Sequence, residues 1–133
     1  MTKKVFYNSS LPRAGSTLLQ NLLAQNPEIY SSPTSGLFDL ITSTKTTYTN
    51  TTEFVAQNQS LTINGYKGLL KGAMYGYYDG MSDRSYSIDK SRAWIGEYKF
   101  LDSFDSNPKI ICMVRDLRSI YASIEKNIEK IHF

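Results

Sequence analysis

Apolar residues along the chain form short continuous runs separated by stretches with helical spacing. Runs rich in β-branched and aromatic residues at positions 4–7, 86–89 and 109–114 predict β-strands. The run at 109–114 is the strongest of them, and its continuous apolar character is typical of a strand covered on both faces. Residues 29–32 are consistent with one more short strand.

The stretches between these runs favour helices. Leu18, Leu19, Leu22 and Leu23 share one helical face, which predicts a helix that begins at residue 15 or 16 and ends before Pro27. Further helices are predicted over residues 36–44, 50–59, 65–78, 91–104 and 117–131. The last of these carries Leu117, Ile120, Ile124, Ile128 and Ile131 on one face.

The order of elements indicates the fold class. Strands alternate with helices, and a helical insertion follows the second strand, which predicts parallel strands joined by helical crossovers. We therefore expect a single α/β domain over residues 1–133, with three α/β/α layers around a small central parallel sheet. Ligands of such sheets bind beyond the carboxyl ends of the strands, at the rim of the sheet.

Composition excludes several classes of protein. The 133 residues carry a net charge of only +3, which does not suggest nucleic-acid binding. One cysteine, Cys112, and one histidine, His132, leave no disulfide framework and make a zinc site improbable, so no metal is expected. No apolar run approaches the roughly 18 residues of a membrane span, and the N-terminus lacks a signal peptide pattern. We expect a cytoplasmic protein, with Cys112 and Trp94 in its core.

Cationic residues follow three of the predicted strands. Since the carboxyl ends of parallel strands share one rim, we expect these side chains to lie near one another. A helix N-terminus at residue 15 or 16 adds free backbone N–H groups and the positive end of a dipole. The rim is therefore expected to bind a ligand with several negative charges. Its cations are Arg13, Lys90, Arg92, Arg115 and Arg118.

The first loop differs from the phosphate loop of ATP- and GTP-binding enzymes, G-x-x-x-x-G-K-[ST]. With Gly15 as the second glycine, Ser10 occupies the first glycine position and Ser16 the lysine position, and only Thr17 fits. The missing lysine matters because that residue spans the β- and γ-phosphates. A P-loop kinase-like nucleotide enzyme is therefore the less favoured alternative, beside a non-catalytic nucleotide-binding module.

Three motifs together resemble the sulfotransferases. Residues 11–19, LPRAGSTLL, are similar to their 5′-phosphosulfate loop, roughly P-[KR]-[SA]-G-[ST]-[ST]-x-[LM]. Arg115 and Ser123, eight residues apart after the last predicted strand, resemble the 3′-phosphate site. Asp89-Lys90 resembles the lysine segment of the tyrosylprotein and heparan-type branches. The resemblance spans residues 5 to about 127 and implies a P-loop-like fold.

The resemblance also implies chemistry. The donor would be 3′-phosphoadenosine-5′-phosphosulfate (PAPS), the product 3′-phosphoadenosine-5′-phosphate (PAP), and the acceptor a hydroxyl or amine on a small molecule, carbohydrate or peptide, without a metal. Arg13 and Lys90 would be catalytic, Arg13 by contacting the phosphosulfate and Lys90 by neutralising the sulfuryl or bridging oxygen. The donor-binding residues would be Arg13, Ala14, Gly15, Ser16, Thr17, Leu18, Arg115 and Ser123.

The sequence departs from the family pattern in two places. The glutamate that many members use as a base falls near Pro33 or Thr34, so the base is not visible; Asp39, Glu97 or a tyrosine are the alternatives. Family members also continue well past the last predicted helix. We therefore expect either a truncated chain, the N-terminal part of the longer family fold, or a site completed by a partner chain in a homodimer.

Overall fold

The computed structural model of the protein describes residues 3–129. Within that range, strands and helices alternate as the sequence predicts, and three helices separate the second strand from the third. The elements are β1 (Lys4–Asn8), α1 (Ser16–Leu23), β2 (Ile29–Ser31), α2 (Leu37–Asn50), α3 (Thr52–Ala56), α4 (Gln59–Met81), β3 (Tyr86–Lys90), α5 (Tyr98–Asp102), β4 (Ile110–Ile111) and α6 (Leu117–Glu129).

The four strands form one sheet in the order β2-β3-β1-β4, and every pairing is parallel. Tyr7 of β1 pairs with Asp89 on one side and with Ile110 on the other, so β1 is central. With right-handed crossovers, the chain from β1 to β2 and the chain from β2 to β3 cover opposite faces of the sheet. The expected small α/β domain with a parallel sheet is therefore confirmed.

The main core lies on the sheet face that carries Val5 and Tyr7. Apolar side chains of α2, α4 and α5 bury this face, and the Trp94 indole packs edge-on against the Tyr7 ring with centroids 5.0 Å apart. Trp94 is fully buried, as predicted. The other core members on the helices are Leu37, Ile41, Tyr66, Leu70, Met74, Tyr78 and Leu101.

Two buried carboxylates organise hydrogen bonds inside this core. Asp89 Oδ1 accepts from Trp94 Nε1 at 2.6 Å, and its Oδ2 accepts from the hydroxyls of Tyr78 at 2.6 Å and Ser35 at 2.7 Å. The second carboxylate, Asp105, accepts from Tyr7 at 2.5 Å and from Tyr75 at 3.0 Å.

The same contacts shift the ionisation of the tyrosines. Burial, reinforced by the charge of Asp105, raises the pKa of Tyr75 to about 12. Burial also raises the pKa of Tyr7 and Tyr78, with Asp105 and Asp89 respectively adding to the shift. These hydroxyls therefore remain protonated donors across the physiological pH range.

The expectation of a long, doubly covered strand at 109–114 is wrong. Only Ile110–Ile111 pairs as β4, and both residues are half-buried because β4 is the edge of the sheet and pairs with β1 alone. Val114 is 87% exposed, and Cys112 is exposed rather than part of the core.

The predicted helix over 91–104 is mostly a turn, with only Tyr98–Asp102 helical. A helix over 91–104 would pair the N–H of Ile95 with the carbonyl of Ser91, but in the structure this N–H donates to Ser9 Oγ.

Other helices differ from their predictions in length. The helices predicted at 36–44 and 65–78 extend to Leu37–Asn50 and Gln59–Met81, and only Thr52–Ala56 is a separate helix within 50–59. The helix predicted at 117–131 is observed over Leu117–Glu129, and positions 130–131 lie outside the described residues.

The apolar face of α6 is largely exposed. Ile120 is buried, whereas Leu117, Ile124 and Ile128 are exposed, because α6 follows the edge strand. No helix within residues 3–129 combines the length and the apolar character needed to cross a bilayer.

Replacing Asp89 by asparagine should destabilise the fold. The amide nitrogen of asparagine is a donor, and it would face the donors of Ser35, Tyr78 or Trp94 that now bond to the carboxylate. Because a buried donor would then lack an acceptor, we expect the free energy of unfolding to fall by about 1–3 kcal/mol. Urea denaturation measures this loss, with the exposed Asp102→Asn as the matched control, expected within about 0.5 kcal/mol of wild type. Equal denaturation midpoints for both variants would contradict the structural role of Asp89.

Candidate functional site

The loop after β1 turns sharply into α1. Arg13 has a φ of 63° and Gly15 a φ of 99°, so both lie in the left-handed region. This conformation is uncommon for residues other than glycine, and Arg13 is therefore an exception. Helix α1 then begins at Ser16 with no side-chain cap. The first N–H groups of a helix have no partner within it, so those of residues 16–18 are available to an anion.

Buried hydroxyls beneath this loop connect it to its neighbours. Ser9 Oγ donates to the Arg92 carbonyl at 2.7 Å and accepts from Ile95 N–H at 3.1 Å, which fixes the segment after β3. Ser10 Oγ accepts from Met113 N–H at 3.0 Å, which fixes the segment after β4. The three loops are therefore held together at one rim, as the sequence predicts.

One side of the loop faces a cleft that contains Lys90. Lys90 Nζ donates to the Pro33 carbonyl at 2.7 Å and to Thr17 Oγ1 at 3.2 Å. Partial burial, together with the charge of Arg92, lowers the pKa of Lys90 below its usual value. This Lys90 cleft has a volume of about 290 Å³ and is lined by Thr34, Ser35, Phe38, Asp39, Lys90, Ser91, Arg92 and Ala93.

The other side of the loop faces α6. Arg115 Nη1 donates to the Arg13 carbonyl at 3.0 Å, and Arg13 Nε donates to Ser123 Oγ at 3.0 Å. With its amide oxygen turned toward Arg13, Asn127 accepts from Nη2 at 2.6 Å. A second cleft of about 290 Å³, the Arg115 cleft, is lined here by Arg115, Ser119, Ala122, Ser123 and Lys126.

Three of the cations at this rim are bonded to neutral oxygens. Lys90, Arg13 and Arg115 donate to carbonyl and hydroxyl groups, and no salt bridge involves them among residues 3–129. Arg118 differs, because it pairs with Asp116 at 3.3 Å and its side chain is 94% exposed. In the described part of the chain no carboxylate is paired with these three cations, so their charge remains available to an anionic ligand.

The structure brings most of the predicted site residues together, in two groups. Arg13, Arg115 and Ser123 gather on the α6 side, whereas Lys90 and Thr17 meet on the opposite side of the loop. Ala14, Gly15 and Ser16 form the turn between them. Leu18 is 64% exposed, and its backbone N–H is one of the free groups at the start of α1.

Asp116 and Arg118 have structural roles. Asp116 Oδ1 accepts from the N–H groups of Arg118 at 2.9 Å and Ser119 at 3.3 Å, so it caps α6. The hydrogen bond from the Arg118 guanidinium, followed by these backbone bonds, lowers the pKa of Asp116. Arg118 does not line either cleft.

Sequence reasoning missed Lys126 and Asn127. Both lie on α6 one turn beyond Ser123, at i+3 and i+4, so helical spacing from the predicted serine would have found them. Sequence reasoning also missed the role of Ser9 and Ser10, whose contacts depend on the packed sheet and leave no local signal.

A protein family model matches most of the chain. The model of the Sulfotransferase family matches residues 9–130, a range that includes the loop, Lys90, Arg115 and Ser123. No curated protein matches the chain at a significant level. Since the family match covers most of the chain, the protein belongs to the sulfotransferase family, whose members transfer sulfuryl groups.

Proposed function

We propose that the protein transfers the sulfuryl group of PAPS to a hydroxyl or amine acceptor. The observation that carries the proposal is the pair of basic clefts on the two sides of an uncapped helix N-terminus, where Lys90 and Arg115 are bonded to neutral oxygens. PAPS carries a phosphate at one end and a phosphosulfate at the other. Two separate cationic clefts suit a ligand with two anionic ends.

The residues present fit this donor. The N–H groups at the start of α1 and Arg13 would hold the 5′ end, and Gly15 makes the turn that leads into them, with a φ of 99° that residues with a Cβ rarely adopt. Arg115 and Ser123, which line one cleft, would hold the 3′-phosphate, with Lys126 beside them. Arginine suits that position because its planar fork bonds phosphate oxygens in pairs.

Transfer forms a bond from the acceptor oxygen or nitrogen to sulfur and breaks the bond from sulfur to the phosphate oxygen. Negative charge grows on that oxygen as it leaves. Lys90, held by the Pro33 carbonyl and by Thr17, would stabilise this charge together with the N–H groups of α1. Preorganised electrostatic stabilisation of this kind usually contributes more to catalysis than any other effect, and no metal is needed for it.

We assign the general base to Asp39. It is the one carboxylate among the residues that line the Lys90 cleft, whereas Glu97 precedes α5 and does not line this cleft. A carboxylate beside the acceptor would take the proton that the hydroxyl or amine loses during attack.

A kinase-like or purely nucleotide-binding role is the alternative. The absent lysine in the loop argues against ATP chemistry, and calorimetric titrations with PAP in EDTA and with ATP plus Mg²⁺ distinguish these functions. A preference for ATP with Mg²⁺ would support the kinase-like enzyme. PAP binding without turnover of PAPS on phenol, sugar and amine acceptors would support the binding module.

Arg115→Ala should weaken PAP binding by about 10- to 100-fold, because charge-assisted bonds to the 3′-phosphate are lost. Calorimetry in EDTA measures the dissociation constant. Arg118→Ala is the matched control, since Arg118 lies nearby in sequence but outside both clefts, and it should stay within about twofold. Equal losses in the two variants would indicate only a nonspecific effect of charge.

The activity should fall as the pH rises, and this fall should occur at a lower pH than the titration of an ordinary lysine would produce. The pKa of Lys90 is lowered by burial and by Arg92, so its charge is present at low pH and is lost as the pH rises through this lowered value. The pH profile of kcat/KM for PAPS measures this alkaline limb. Arg92→Gln should move the limb to higher pH, and Lys90→Arg should remove it; an unchanged limb in Lys90→Arg would contradict the assignment.

Asp39→Asn should lower kcat by about 10²–10⁴-fold and leave PAP affinity unchanged, because the base acts on the acceptor and not on the nucleotide. Steady-state kinetics and calorimetry on the same preparation measure both quantities. Glu97→Gln is the control and should keep wild-type kcat. A wild-type kcat in Asp39→Asn would remove Asp39 from the mechanism.

A further inference from the structure

A third cavity lies in the helical insertion, away from the two basic clefts. It has a volume of about 410 Å³, within the range of small-molecule sites, and lies between α2, α3 and α4. It shares no lining residue with the Lys90 cleft or the Arg115 cleft. The lining residues are Ser43, Thr44, Thr47, Tyr48, Phe54, Gln57, Thr62, Gly65, Tyr66 and Leu69.

The lining of this insertion cavity carries no charged side chain. An ionic ligand would lose its hydration there without gaining a counter-charge, which is costly. The nucleotide that suits the basic clefts is therefore unsuited to this cavity. The basic clefts therefore suit an anionic ligand, and the insertion cavity suits an uncharged one.

The wall of the cavity is aromatic and internally hydrogen-bonded. The Tyr48 and Tyr66 rings are stacked with centroids 4.3 Å apart and planes within 5°, and the Phe54 ring lies 5.2 Å from Tyr48. Tyr48 donates to Thr62 Oγ1 at 3.1 Å, and the Tyr66 hydroxyl lies 3.0 Å from Thr44 Oγ1. This ordered wall offers ring contacts to a ligand without leaving its own hydroxyls unpaired.

Two polar side chains of the lining remain free to bind. The Thr47 hydroxyl and the Gln57 amide make no hydrogen bond to any residue in the described part of the chain, and both residues are exposed. A hydroxyl group on the ligand would pair with them. On α4, Gly65 adds room, because a Cβ there would meet no atom within 4 Å.

We propose that the insertion cavity is a second binding site, for an uncharged aromatic alcohol. The ring packs against Tyr48, Phe54 and Tyr66, and the hydroxyl pairs with Thr47 or Gln57. The site is distinct from the acceptor position beside Lys90. The proposal does not depend on PAPS as the donor, since none of the basic residues takes part.

The test uses 2-naphthol, which is neutral at pH 7, and naphthalene-2-sulfonate, an anion on the same ring. Amide shifts of the ¹⁵N-labelled protein, followed during titration, report both affinity and location. We expect 2-naphthol to shift the amides of residues 43–69 saturably, and the sulfonate to bind at least about tenfold more weakly at these amides.

Gly65→Leu should fill the cavity and weaken 2-naphthol binding by at least about tenfold, through loss of the apolar surface that the ring buries. Since leucine is a better helix former than glycine, the variant should fold. Gly72→Leu is the control on the same helix: its Cβ also meets open space, it does not line the cavity, and it should bind as wild type.

Lys90→Ala should also bind 2-naphthol as wild type, which separates this site from the proposed transferase site. Three results would each overturn the proposal. They are the absence of saturable shifts at residues 43–69, equal binding of the sulfonate at those amides, and undiminished binding in Gly65→Leu.

Discussion

The pairing of β1 on both of its sides determines where everything else at the site can lie. Its last two residues, Tyr7 and Asn8, are in register with β3 on one side and with β4 on the other. Three neighbouring parallel strands therefore end at one rim, and the loops that follow them emerge side by side. The hydroxyls of Ser9 and Ser10 then fasten the outer two loops to the central one.

The electrostatic character of the rim follows from how its cations are held. Carbonyl and hydroxyl oxygens orient Lys90, Arg13 and Arg115 without neutralising them. Like charges gathered in this way repel one another, and an anion that bridges the two clefts would relieve that repulsion. The buried carboxylate of Asp89 supports the same region from below, because it bonds Ser35 next to the Lys90 cleft and Trp94 in the core.

The local pattern of apolar and polar residues was sufficient to predict the elements around the first loop. The β-branched run of β1, the leucine face of α1 and the glycine at the turn predicted the loop, and the alternation of elements predicted the parallel sheet.

The pattern failed for segments whose structure depends on their position in the folded protein. The apolar run at 109–114 is the same whether a strand is central or at an edge, so neither the shortness of β4 nor the exposure of Cys112 could be read from it. The turn at 91–97 depends on Ser9, which lies 86 residues before Ile95 in sequence. For the same reason, the sequence did not predict which side of the loop Arg13 faces, because its partner Ser123 lies on α6, 110 residues later in the sequence.

Release of PAP from PAPS in EDTA is the decisive measurement for sulfuryl transfer at this rim. Chromatography quantifies PAP in the presence of a phenol, a sugar and an amine, with wild type and Lys90→Ala compared at equal concentration. We expect acceptor-dependent release by wild type and a loss of at least about 10²-fold in Lys90→Ala, because a preorganised charge at the leaving oxygen is removed. No release above the protein-free rate with any acceptor, or equal release by the two proteins, would contradict sulfuryl transfer assisted by Lys90.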